Sequence, residues 1–117
     1  MSLRSKMVDL EYSPRQVSAL LEQGELELID VREAHEYEAG RIAGARHLPL
    51  AELSAQAETI GRDKPVVFYC RSGARSAMAT QAFGQAGWEA HNLDGGLLEW
   101  QAAGLPLEPE DGRVAEH

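Results

Sequence analysis

The sequence predicts an α/β domain: one mainly parallel sheet of four to five strands with helices on both faces. Three observations carry this. Short apolar runs alternate with helical patterns along the chain, an order that produces parallel βαβ connections. Leu26, Leu28, Ile29 and Val31 make one short apolar run and Val66 to Tyr69 another, as strands covered on both faces do. The length of 117 residues suits one core, and no internal repeat divides it.

A candidate first strand covers Val8 to Tyr12. SPRQVSALLEQG then reads as a short helix: Ser13 suits the N-cap, Pro14 the first helical position, where its missing N–H is not needed, and Gly24 the stop. Val17, Leu20 and Leu21 share its apolar face. Leu26, Leu28, Ile29 and Val31 form the next strand, whose polar end is Asp30-Val31-Arg32. Residues 33–40, EAHEYEAG, read as a short acidic helix with a solvated face, closed by Gly40. A turn, a brief strand around Ala45 to Leu48 and a proline follow. Leu50, Leu53, Ala57 and Ile60 recur at near-helical spacing up to Gly61, which predicts another helix.

After a turn at residues 62–65 comes the strand Val66 to Tyr69, and after Gly73 a helix ending near Gly87. The apolar stripe expected on that helix is Ala74, Ala77, Met78, Ala82 and the flanking Phe83. Residues 89–93 give the last strand, Asp94-Gly95-Gly96 a tight turn, and residues 97–103 a terminal helix. Trp88 and Trp100 are read as packing residues. The tail from Leu105, with prolines and acids interleaved in LPLEPEDGR, is expected to be weakly ordered.

Composition removes several function classes. No apolar run approaches the roughly 18 residues of a membrane span, so no membrane partner is expected. Nineteen acidic against eleven basic residues give a net charge of −8, which argues against nucleic acid as a partner. The opening MSLRSKMVDL has neither the apolar core nor the small-residue cleavage site of a secretory signal, so none is expected, and Met1 to Leu3 read as an addition ahead of Met7. A single cysteine forms no internal disulfide and no Cys-rich zinc site, and fits a reducing compartment, so the cytoplasm is the expected location. His35, His47, His91 and His117 are scattered without ligand spacing, so neither a metal nor another cofactor is expected.

The chemistry concentrates at VVFYCRSGARS, residues 66–76. In open α/β sheets, ligands sit beyond the carboxyl ends of the strands, and Cys70 lies at such an end. Between strand and helix, the amides of residues 71–75 have no ladder partners, and a compact turn directs several of them at one point. A thiol with a pKa of about 8.5 is only about 3% ionised at pH 7, and lowering it by about two units corresponds to about 2.7 kcal/mol. Several amide donors and a helix terminus supply energy of that order. Gly73 permits backbone angles that other residues avoid. Ser72 and Ser76 are placed to donate hydrogen bonds or to cap the helix. Arg71 and Arg75 stand out as a local anion site in an acidic chain.

These residues resemble the rhodanese family of sulfurtransferases over about residues 21–107. The matches are separated along the chain: Asp30-Val31-Arg32-Glu33 with Glu36 and Tyr37, Gly40-Arg41-Ile42-Ala43-Gly44-Ala45 before His47-Leu48-Pro49, Cys70-Arg71-Ser72-Gly73-Ala74-Arg75-Ser76, and Asn92-Leu93-Asp94-Gly95-Gly96 before Trp100. Arg41 departs from the histidine of the family's common Gly-His-Ile form.

The resemblance implies a rhodanese-like three-layer sandwich over residues 21–107. Residues 1–20 would add a strand and helix packed on it, and residues 108–117 a weakly ordered tail. It implies that Cys70 carries a sulfane sulfur as a persulfide, taken from a small anionic donor such as thiosulfate and passed to a thiol or cyanide. A protein donor or acceptor is also compatible. Arg71, Ser72, Gly73, Ala74 and Arg75 would form the substrate and anion loop, with both arginines available to steer the donor. Asp30 and Arg32 are expected as a structural pair, and Ser76 as a support to the loop.

Cysteine phosphatases follow C-x5-R, whereas Cys70 to Arg75 is C-x4-R, a tighter ring that suits a sulfur atom better than phosphate. The alternatives are a phosphatase or arsenate reductase, and a non-catalytic rhodanese-homology module used for binding or regulation.

Overall fold

Residues 10–117 are described by the computed structural model. The strand expectation at Val8 and Asp9, and the readings of the leader and of Met7, lie outside the described residues.

Five strands form one sheet in the order β1-β5-β4-β2-β3. They are β1 Glu11–Tyr12, β2 Glu27–Asp30, β3 Arg46–His47, β4 Val66–Tyr69 and β5 Ala90–Leu93. Every pairing is parallel, with Phe68 opposite Ile29 and Asn92, and Tyr69 opposite Asp30. All four residues of β4 are buried, as a central strand covered on both faces requires.

The pleat divides the core. Ile29, Val66, Phe68 and Cys70 point to one layer, where Leu53, Ile60, Ala79, Phe83 and Trp88 cover them. Leu28, Val67, Tyr69 and Leu93 point to the other, beneath Val17, Ile42, Leu97 and Trp100. Each fully buried Leu or Phe of these layers contributes roughly 1.5–3 kcal/mol of transfer free energy. Five helices supply the covers: α1 Pro14–Glu22, α2 Ala34–Ala39, α3 Leu53–Gln56, α4 Ala74–Gln85 and α5 Gly96–Ala102. At the start of α1, Ser13 Oγ accepts from the Gln16 amide while Gln16 reaches back to the Ser13 amide, a capping box ahead of Pro14. Among the described residues, no helix is long and apolar enough to cross a membrane.

Four expectations are corrected. The helix expected from Leu50 to Ile60 is broken into a 3-10 turn Leu50–Glu52, the single turn α3 and a second 3-10 turn Ala57–Thr59. Both ends of this segment are held from outside: the Leu50 amide donates to Val31 O at 3.0 Å, and Trp88 Nε1 to Ile60 O at 3.1 Å. Within it, Thr59 Oγ1 donates to Gln56 O at 2.6 Å, competing with helical pairing.

The stripe expected on α4 is rotated. The helix buries Ser76, Ala79, Thr80 and Phe83, while Met78 is 59% exposed. The inward hydroxyls have partners, Thr80 Oγ1 donating to Ser76 O at 2.9 Å. The acidic helix α2 does not present a wholly solvated face, because Glu36 is fully buried. The closing segment, expected to be weakly ordered, packs back onto the domain. Leu105, Leu107 and Val114 join the Trp100 layer, and Trp100 Nε1 donates to Pro106 O at 2.8 Å. Arg41 and Glu108 exchange backbone hydrogen bonds, and the Arg113 amide donates to Ala39 O. Its apolar residues fall between the prolines and acids, which is enough to hold it down.

Candidate active site

β4 ends at Tyr69 and the chain turns at once, so Cys70 leaves the sheet on the α4 face with its thiol fully buried. The Gly73 amide donates to Cys70 Sγ at 3.1 Å, and Ser76 Oγ lies 3.4 Å from the same sulfur. Burial pushes the Cys70 thiol up. The Ser76 hydroxyl and the amides of Ser76, Gly73 and Arg75 push it down further, and the net result is a thiol below its ordinary value. The turn thus stabilises a thiolate with neutral donors, without an imidazole.

Gly73 caps α4 in the left-handed region, at φ 103°, which lets its amide face back toward the sulfur. The cap has no side-chain hydrogen bond, so Ser72, which is exposed, does not act as a cap. Ser76 Oγ has a single proton to share between two acceptors, Cys70 Sγ and Asn92 Oδ1 at 2.6 Å. Asn92 comes from β5, and its Nδ2 donates to Gly73 O at 3.1 Å and faces the Glu11 carboxylate at 3.3 Å. The start of α5 completes the support: the Leu97 and Leu98 amides donate to Cys70 O and Arg71 O at 2.9 and 3.1 Å.

The two loop arginines differ. Arg75 is not free to meet a donor: its Nη1 and Nη2 donate to Glu36 Oε1 and Oε2 at 2.8 and 2.9 Å. Burial pushes the Glu36 carboxyl up, but Arg75 and the Glu33 amide hold it below the usual carboxylate range. Of the two loop guanidinium groups, that of Arg75 is thus held in an ion pair within the protein. Arg71 is half-buried with its Nε unpaired, and among the described residues no carboxylate forms an ion pair with it. Ala74 is exposed at the first position of α4.

Asp30 and Arg32 form a fully buried pair closed at 2.6 Å, with Arg32 Nη2 also donating to Gly40 O at 2.8 Å. The pair ties the end of β2 to the end of α2, consistent with a brace. None of the histidines among the described residues contacts Cys70 in a hydrogen bond: His47 Nε2 meets Arg32 O, His91 Nε2 meets Glu89, and His35 Nε2 meets Glu116 O. Among the described residues, no group of three or more His, Cys, Asp or Glu side chains could hold a metal ion.

In the sequence, Glu36 and Asn92 stand only as parts of matching segments, with no role at the site. Their signals were slight: the Glu33-to-Glu36 spacing of a reach-back cap, and a polar Asn inside an otherwise inward strand.

A parallel α/β sheet that delivers one cysteine into a turn of converging amides defines a class of thiolate-stabilising loop proteins. The chain belongs to the rhodanese-like domain family, whose model matches residues 13–103. It is 46% identical over 90 residues to an HTH-type transcriptional regulator of Mycobacterium tuberculosis, covering 74% of this chain and 39% of that protein. It is 38% identical over 86 residues to a sulfurtransferase of Allochromatium vinosum, covering 73% and 80% of the two chains. A rhodanese-related protein from Thermoplasma volcanium superposes with TM-score 0.77 at 28% identity, covering 83% of this chain and 95% of that one. The fold is the rhodanese-like α/β sandwich, and the chain spans less than two thirds of the length of the M. tuberculosis relative.

Proposed function

We propose that this chain is a sulfurtransferase whose Cys70 carries a sulfane sulfur as a persulfide. The observation that carries the reading is the Cys70 thiol, fully buried at a strand end and bonded by the Gly73 amide with Ser76 beside it. The thiolate attacks the sulfane sulfur of a donor. With thiosulfate, the sulfur–sulfur bond of the donor breaks, sulfite leaves with the electron pair, and Cys70 keeps the outer sulfur. An acceptor nucleophile, a thiolate or cyanide, then attacks that outer sulfur and releases the Cys70 thiolate. The converging amides stabilise negative charge on either sulfur as it develops. A reducing compartment such as the cytoplasm suits an unprotected thiol.

Arg75 bears on the phosphatase alternative. A phosphate-binding loop needs its arginine over the bound anion, and here Arg75 is held on Glu36. Incubation with a panel of sulfane donors should add the mass of one sulfur atom at Cys70, and Cys70→Ser should show neither adduct nor turnover. An unmodified Cys70 under every donor would sink the reading. A regulatory module is the second reading, favoured by the 46% identity to part of a transcriptional regulator. It predicts normal cellular function for Cys70→Ala, which sulfur transfer forbids.

A further inference from the structure

We propose that Glu36 determines donor specificity: by closing a two-point ion pair on Arg75 it withdraws that charge from the mouth of the Cys70 loop. The site then favours a neutral or singly charged sulfane donor, such as a small alkyl persulfide, over dianionic thiosulfate. This rests on the sulfurtransferase reading above and names its substrate class.

The geometry fixes Glu36 independently of any ligand. Its side chain is fully buried, Oε1 accepts from the Glu33 amide at 3.0 Å as well as from Arg75 Nη1, and Oε2 accepts from Arg75 Nη2. The carboxylate is therefore anchored in α2 before Arg75 reaches it. Arg75 lies in the first turn of α4, beside the Cys70 loop, with its guanidinium neutralised on Glu36. Nearby, Asp30 cancels Arg32 in the same way. What remains at the loop is Arg71, the neutral amides and a chain of net charge −8.

Coulomb energy scales with the product of the charges, so each positive charge withdrawn weakens attraction for a dianion twice as much as for a monoanion. The amides, by contrast, stabilise the Cys70 thiolate whatever the donor. With an alkyl persulfide R–S–SH, the Cys70 thiolate attacks the outer sulfur and forms a new sulfur–sulfur bond. The donor's sulfur–sulfur bond breaks, and RS⁻ leaves with the electron pair and takes a proton from solvent.

The experiment measures the rate of sulfur loading onto Cys70 by rapid quench and mass spectrometry, with thiosulfate and with cysteine persulfide. Wild-type protein should load faster from the persulfide at equal concentration. Glu36→Gln keeps an acceptor for Arg75 but leaves its charge uncompensated, so the thiosulfate-to-persulfide rate ratio should rise about tenfold, mainly through KM for thiosulfate. In Glu36→Gln/Arg75→Gln, which removes both charges, the ratio should return to the wild-type value. A ratio unchanged in Glu36→Gln would overturn the proposal and leave Glu36 a structural residue.

A second measurement needs no variant. Raising ionic strength from about 20 to 200 mM should lower the wild-type thiosulfate rate less than about twofold, because few uncompensated cations remain to be screened. A fall of more than about fivefold would overturn the proposal. If neither donor loads Cys70, the sulfurtransferase reading itself fails, an outcome distinct from either of these.

Discussion

Two neighbouring strand-to-helix turns share one design and divide its work. β4 runs into α4 through Gly73 at φ 103°, and β5 runs into α5 through Gly95 at φ 76°, and neither glycine cap has a side-chain hydrogen bond. In the first turn the Gly73 amide donates to the Cys70 sulfur. In the second, the leading amides of α5 donate to Cys70 O and Arg71 O, the carbonyls of the first turn. One turn presents donors to the thiol and the other holds those donors in place. A helix start is therefore reactive or structural according to what its free amides meet, and the sulfur nest belongs to both turns.

Breaking the supporting turn should have the largest effect. A Cβ on Gly96 would sit 2.5 Å from Arg71 O and 2.6 Å from Cys70 O, against backbone that cannot move without displacing the loop. With the left-handed strain at φ 62° added, Gly96→Ala should cost about 3 kcal/mol or more in urea unfolding. It should also slow sulfur loading of Cys70 at least about a hundredfold, because a displacement near 1 Å moves the amides off the sulfur. Unchanged loading would show that α5 does not support the site.

Asn92 joins the two turns and ranks next. Asn92→Ala removes the acceptor of Ser76 Oγ and the donor to Gly73 O in a buried site, and should cost about 2 kcal/mol. Gly73 O also accepts from the Ala77 amide, so it is not orphaned, which keeps the loss moderate. The Ser76 proton then has only the sulfur as acceptor, so the pH profile of thiol alkylation should move to lower pH.

Gly73→Ala sharpens the contrast with Gly96. The nearest atom to its Cβ would be Gly95 N at 3.5 Å, an ordinary contact, so only the positive φ is penalised. The expected loss is about 1–2 kcal/mol. A loss equal to that of Gly96→Ala would mean that strain, rather than close approach of the two turns, governs both positions.

The elements with strong local signals were legible in the sequence. Ser13-Pro14 marked the start of α1, the run VVFY marked β4, and Asp94-Gly95-Gly96 marked the turn before α5. Cys70, Gly73 and Ser76 were legible because chain neighbours build the loop. Glu36 was not, since its partner Arg75 lies 39 residues away and the composition of EAHEYEAG does not distinguish the buried Glu36 from the exposed Glu33 and Glu38. The face of α4 was misread because its alanines provide little hydrophobic contrast, and two hydroxyl residues, Ser76 and Thr80, point inward to polar partners. The tail was misread because composition does not register where Leu105, Leu107 and Val114 land.

The smallest expected effect separates the two acceptors of one proton. Ser76 Oγ lies 2.6 Å from Asn92 Oδ1 and 3.4 Å from Cys70 Sγ, and Ser76→Ala removes both interactions. The Cys70 thiol is held below its ordinary value despite burial, with the Ser76 hydroxyl the foremost of the groups that lower it. Without that hydroxyl the pKa rises, so alkylation at pH 7 should slow by about threefold and its inflection should move to higher pH. The sign for stability follows from linkage. A thiol with a depressed folded-state pKa contributes stability that is fully present above the unfolded pKa of about 8.5 and is lost as pH falls through the folded value. The stability gap between wild type and Ser76→Ala should therefore be wider at about pH 9.5 than at about pH 6, where only the Asn92 bond remains. A gap independent of pH, with an unmoved inflection, would assign the proton to Asn92 alone and leave the amides as the thiolate's sole donors.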